Sequence, residues 1–215
     1  LVRGFAVKDL GLTRDGCDGS VVTWGAAGRG GDSSAVQGQL KNVQQIQASD
    51  YAFAAILGDG SVVTWGNAGY GGDSRAVQNQ LKNVQQVQAP RGGAFAAILA
   101  DGSVVTWGDA ACGGDSSAVQ SQLKNVRQIQ AASQAFAAIL SDGSVVTWGA
   151  AGRGGDSSAV QGQLKNVQQI QAWDDAFVAI LGDGSVVTWG HPDYGGDSSY
   201  VQDQLKNVQQ IQATG

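Results

Sequence analysis

The 215-residue chain has no methionine, a single histidine, and only two cysteines and two prolines. It also lacks any apolar run near the roughly 18 residues that a membrane-spanning helix requires. Each shortage closes off a class of function. His191 stands in a His-Pro-Asp turn with neither a second imidazole nor a cysteine pair to complete a metal site, so it reads as a surface turn residue. Cys17 and Cys112 lie far apart at no metal-binding spacing. They can form at most one bridge, not the disulfide framework of a small secreted scaffold. Basic charge is scarce as well: 13 Lys and Arg face 18 Asp and Glu, for a net charge of −5, which argues against binding a phosphate backbone. A chain that starts at Leu1 without methionine reads as a processed product or a fragment, so no targeting segment is in view and no compartment is assigned.

What the chain has in abundance is repetition. The pair Trp-Gly occurs at Trp24, Trp65, Trp107, Trp148 and Trp189, at spacings of 41, 42, 41 and 41 residues. The stretch from Asp18 to Ala48 is identical to that from Asp142 to Ala172, which points to duplication of a whole module. Five modules fill residues 1–215 as one domain. Periods of this length belong to propellers, solenoids and arrays, where a unit cannot bury its apolar face alone and leans on its neighbours.

Within a module, "AFAAILGDGSVVTWG" (Ala52 to Gly66) sets two alternating apolar runs around Gly58-Asp59-Gly60. That is an antiparallel hairpin signal, because glycine accepts the positive φ a tight turn needs. Both faces of the hairpin are apolar or small, so each sheet should be covered on both sides, as stacked blades are. The second half of the module, "DSSAVQGQLKNVQQIQA" (Asp32 to Ala48), supports two readings. Val36, Leu40, Val43 and Ile46 fall at helical spacing behind a capping Asp32-Ser33-Ser34. The competing reading is a short outer strand near Ser34 to Gln37, a turn over Gly38 to Asn42, and a strand from Val43 to Ala48.

The order carried by Leu40, Asn42, Val43, Ile46 and Ala48, then Asp59, Gly60, Val62, Trp65 and Gly66, resembles the RCC1-like repeat of the regulator-of-chromosome-condensation β-propellers. The resemblance covers almost the whole chain. It implies an all-β propeller with one four-stranded blade per roughly 41-residue repeat, and so strands rather than a helix in the second half. Members usually carry Gly-His before the strand that here reads "AFAAIL", where this chain has Ser49-Asp50-Tyr51 and its variable equivalents. Seven blades are usual, whereas five are counted here, so the chain is either a five-bladed ring or part of a longer array. The termini favour the closed ring: "NVQQIQATG" (Asn207 to Gly215) is a first strand without continuation, and "FAVKDL" (Phe5 to Leu10) is a second strand lacking its first. Pairing them would remove two open sheet edges.

The copies differ mainly in two places. One is the loop between first and second strands: Ser49 to Tyr51, Pro90 to Gly93, Ala132 to Gln134 and Trp173 to Asp175. The other follows Trp-Gly, at Arg29, Tyr70, Cys112, Arg153 and Tyr194, and at Ala26, Asn67, Asp109, Ala150 and His191. Both should emerge on one side of the blades. The opposite side carries near-constant Asp-Gly and Gln-Leu-Lys-Asn turns and reads as scaffold. The variable side gathers Arg29, Tyr51, Tyr70, Arg91, Arg153, Trp173, Asp174, His191 and Tyr194, a composition rich in the residue types of binding hot spots. Drift in unselected loops accounts equally for the variation.

Catalytic and cofactor signatures are missing. No nucleophile elbow, P-loop or dinucleotide fingerprint occurs, and the glycines of "AGRGG" (Ala27 to Gly31) recur in register with the fold. One aspartate per module at Asp32, Asp73, Asp115, Asp156 and Asp197 is too sparse for a calcium loop and reads as a turn cap. The sequence therefore predicts a non-enzymatic scaffold without cofactor, binding a protein partner, either as a monomeric ring or as a subunit of an assembly. The resemblance also implies guanine-nucleotide exchange on a small GTPase, which in that family depends on an inserted wedge; the longest departure here is Gly11 to Cys17. A lectin is a third reading, but it predicts equivalent aromatics in every copy, and only Tyr70 and Tyr194 share a position.

Overall fold

A computed structural model of the chain describes residues 4–7, 19 and 21–212. The Asp-Gly turns fold as hairpins because two local devices act together. Gly60 takes φ +76°, and the Asp59 carboxylate accepts both the backbone N–H and the hydroxyl of Ser61, at 2.9 and 2.6 Å. The same turn recurs at Asp101, Asp142 and Asp183. Strands β1 (Gly4–Val7) and β2 (Val21–Trp24) pair as a two-stranded sheet. Four three-stranded antiparallel sheets follow. They are β3 (Val43–Ala48), β4 (Ala52–Leu57) and β5 (Val62–Gly66); β6 (Val84–Gln88), β7 (Ala94–Leu99) and β8 (Val104–Gly108); β9 (Val126–Ala131), β10 (Ala135–Leu140) and β11 (Val145–Gly149); and β12 (Val167–Trp173), β13 (Ala176–Leu181) and β14 (Val186–Gly190).

The core lies between sheets, not within them. Ala52, Ala54, Ile56 and Val62 on one face of the β3–β5 sheet pack against Phe95, Ala97, Val105 and Trp107 on the facing side of the next. The period of two in the sequence thus feeds two separate interfaces, which is why both faces read as apolar. In each three-stranded sheet the Phe lies directly across from the Trp, Phe53 opposite Trp65 for example, with rings stacked at 5.1 Å. That Trp then ties its blade to the one before: Trp65 Nε1 donates to the Gly30 carbonyl at 3.0 Å, and Trp107, Trp148 and Trp189 do likewise to Gly71, Gly113 and Gly154.

Glycine is required at the receiving end. Gly30 sits at φ +85°, and a Cβ there would lie 2.4 Å from the Phe53 ring.

The four-stranded blade is not what forms. Among the described residues no sheet exceeds three strands, and the expected outer strand over Ser34–Gln37 is replaced by successive tight turns, with Val36 N–H donating to Ser33 O at 2.9 Å and Gln39 N–H to Val36 O at 2.8 Å. The α-helix that the periodicity equally supports is absent too, although the last copy winds into one 310 segment, Ser199–Gln204. The physical reason is a side chain that occupies the strand edge. Gln78 Nε2 donates to Val62 O at 2.9 Å, while its Oε1 accepts from Ser74, whose hydroxyl also meets that of Thr64. Gln37, Gln120, Gln161 and Gln202 repeat the arrangement on Val21, Val104, Val145 and Val186. A primary amide therefore supplies the hydrogen bond that a fourth strand would have made.

Among the described residues no sheet closes a ring. Residues Asn207–Gln212 form no strand, β1 pairs only with β2, and the remaining terminal residues named for closure, with the Gly11–Cys17 loop, lie outside the described residues. Among the described residues no helix is long and apolar enough to cross a membrane.

Candidate interaction surface

The two variable segments of each module meet because the backbone joins them. Asn67 N–H donates to Tyr51 O at 3.0 Å, Asp109 to Gly93 at 3.0 Å, Ala150 to Gln134 at 2.9 Å and His191 to Asp175 at 2.9 Å. Consecutive loops are also linked to one another: Asp50 N–H reaches Arg91 O at 3.2 Å, Gly92 N–H reaches Ser133 O at 2.9 Å, and Ser133 N–H bonds Asp174 O. The result is an arc of hydrogen-bonded loops at one end of the blades.

The sequence-predicted residues fall on this arc in three groups. Tyr51 and Tyr70 lie with ring centroids 4.4 Å apart, and the Arg29 guanidinium stands 5.2 Å from the Tyr51 ring. Arg91 covers Trp173 at 5.7 Å and lies 3.9 Å from the Asp174 carboxylate. With Ser133, Ala89 and Ala131 they line a cleft of about 160 Å3. Asp174 adopts φ +43°, the left-handed region, which turns the β12–β13 connection sharply enough to present Trp173. His191 and Tyr194 meet edge to face at 5.2 Å. Trp173, Tyr194 and Tyr70 remain exposed.

Several of these residues also have structural work. His191 Nδ1 accepts the Asp193 N–H, as Asn67 and Asp109 cap the equivalent 310 turns with their oxygens. Arg153 is engaged by Asp175, a buried carboxylate that also accepts from Ser133. Burial alone would raise the Asp175 pKa, but the hydrogen bonds from Arg153 and Ser133 and the guanidinium charge outweigh it, so the carboxyl stays below its ordinary range. Sequence reasoning placed Asp175 and Ser133 in variable loops without singling them out, and missed the role of Cys112, which is free and buried against Gly92. Desolvation, helped by the Asp109 charge, pushes the Cys112 thiol up to about 11, so it is no nucleophile at neutral pH.

Tyr200 also escaped notice. It stands where the other copies have Ala35, Ala76, Ala118 and Ala159, and it is 84% exposed. Aligning the copies shows the replacement directly. The repeated aspartates behave as turn caps: Asp32, Asp73, Asp115, Asp156 and Asp197 each accept the N–H two residues on.

Neither a family model nor a curated protein matches the sequence. Solved structures do. Human WBSCR16 matches with a TM-score of 0.53 and 16% identity over 69% of this chain and 47% of that one. Yeast RCC1 (Prp20), in its structure with Kap60, gives 0.49 and 15% over 77% and 47%. Prp20p from Saccharomyces cerevisiae, described with its binding to Gsp1p and histones, gives 0.47 and 16% over 77% and 49%. The chain spans about half the length of each of these three solved structures. The repeated hairpins, the sheet-on-sheet core and the likeness to WBSCR16 give the fold as RCC1-like β-propeller blades.

Proposed function

We propose that the chain is a non-enzymatic scaffold whose loop arc binds a protein partner. The observation that carries this reading is the pairing of a rigid support with exposed anchors: hydrogen-bonded loops hold Arg91 and Trp173 in one group and His191 and Tyr194 in another. Aromatic and arginine side chains held in place by a scaffold lose little entropy on binding, and they dominate interface energies. The unlike residues at the equivalent positions Arg29, Tyr70, Cys112, Arg153 and Tyr194 favour one composite surface over repeated identical pockets. That supports a protein ligand in preference to a sugar.

The test is capture of partners on immobilised protein, with the double variant Trp173→Ala, Tyr194→Ala as comparison. Both side chains are exposed, so folding should be retained. The reading expects a protein partner that is retained by the original chain and lost by the variant. Elution by sugars would move the assignment to a lectin. Accelerated nucleotide release from a small GTPase would move it to exchange.

A further inference from the structure

The interface between consecutive blades occurs four times inside the chain, and its two halves are left facing outwards at the ends of the array. At the leading end, Trp24 is 47% exposed and Val22 53%, whereas Trp65, Trp107, Trp148 and Trp189 are each 4% exposed. The internal equivalents of Val22 are 6–7% exposed. At the trailing end, Gly195 takes the φ +90° of its counterparts, but among the described residues nothing lies within 4 Å of where its Cβ would be. At Gly30, Gly71, Gly113 and Gly154 that space holds the ring of a phenylalanine from the following blade. Leu205, Val208 and Ile211 are only partly covered, while Leu40, Leu81, Leu123 and Leu164 are each 1% exposed. Tyr200 adds a third feature. Its counterpart Ala35 lines a groove together with Val62, Val63 and Thr64 of the following blade, so Tyr200 borders the place where a next β-sheet would sit.

We propose that a second copy of this chain fills these ends, head to tail, reproducing the internal blade contact. The Trp24 indole of one copy would then donate to the Gly195 carbonyl of the other, and Tyr200 would pack along the partner's Val21 to Thr23. The occupant is indicated by continuity with an interface the chain already makes four times, and by the match between a protruding Trp and an unfilled glycine cradle. The contact is heterologous, since unlike surfaces meet, so each copy offers one of each and association continues until the ends join.

The test is mass against concentration, by sedimentation or light scattering, on the 215-residue chain and on two variants, Trp24→Arg and Tyr200→Asp. Each variant spoils one end at an exposed side chain and leaves the other intact. The milder Tyr200→Ala restores the residue of the other copies and should fold normally. Expected are concentration-dependent dimers or larger species for the original chain, and association at least about tenfold weaker for each variant alone. An equimolar mixture of Trp24→Arg and Tyr200→Asp should recover dimers that grow no further, because one good contact survives between unlike variants. A monomer at all concentrations would overturn the proposal. Equal association of the wild type and both variants would also overturn it.

Discussion

The indole nitrogen of Trp148 donates to the carbonyl of Gly113 across the junction of two blades, at 3.0 Å. Thirty-five residues separate them in sequence, so this contact reports on stacking and not on local structure. Replacing Trp148 by Phe keeps most of the apolar area and deletes the donor, leaving a buried carbonyl unpaired. The expected loss is about 1–3 kcal/mol in urea unfolding. Trp148→Ala should lose about 3–5 kcal/mol. Trp24→Phe should be nearly neutral, and equal losses at both positions would contradict the inter-blade assignment.

The Gln120 amide stands in for a strand at the edge of β8. Gln120→Leu fills similar space but orphans the Val104 carbonyl and leaves the Ser116 hydroxyl with Thr106 alone, so a loss of roughly 1–3 kcal/mol is expected by denaturant titration. Gln120→Glu keeps the acceptor and removes the donor, and should fall between the wild type and Leu. An unchanged midpoint for Gln120→Leu would show that the turn segment holds without the amide.

Acid should weaken the fold through its turns. Asp59, Asp101, Asp142 and Asp183 are held below the ordinary carboxyl value of 3.8 by the serine hydroxyl and N–H two residues on, and Arg75 brings Asp73 to about 2. A folded-state pKa below the unfolded one gives stability that is present above the unfolded value and lost as pH falls towards the folded one. Thermal midpoints should be level from neutrality down to about pH 5 and decline between about pH 4 and 2. Asp59→Asn together with Asp101→Asn should flatten that decline. A decline of unaltered steepness would rule these turns out as its source.

Cys112 should resist thiol reagents. With its thiol pushed up to about 11 and its side chain buried, native protein at pH 8 should leave Cys112 unmodified, and denatured protein should react at once. Peptide mapping after labelling separates it from Cys17. Rapid native labelling at Cys112 would mean that the Gly92 loop opens far more often than its hydrogen bonds imply.

The repeat, the hairpins and the side on which the variable residues gather were legible in the sequence, because each is written in local terms. Asp59-Gly60 specifies its own turn, and alternation from Ala52 to Leu57 assigns each side chain a face. The outer element was not legible. Ser-Ala-Val-Gln fits a strand or a helix equally well, and neither propensity nor period reveals that the Gln37 amide will reach back 16 residues to cap a β-strand. The candidate surface was half legible. The nine residues were found by comparing copies, yet Asp175 was not singled out, because its importance comes from burial beside Arg153 and Ser133.

The sequence by itself determined five copies of one hairpin-forming module, with apolar residues on both faces and little basic charge. Only the tertiary structure decided that the sheets stop at three strands, that loops from successive blades join in one arc, and that Trp24 and Gly195 are left with outward faces. The reason is physical. Turn chemistry and alternation act over a few residues, whereas strand number depends on an amide that reaches back 16 residues, and the joining of loops and blades on groups 35 or more residues apart.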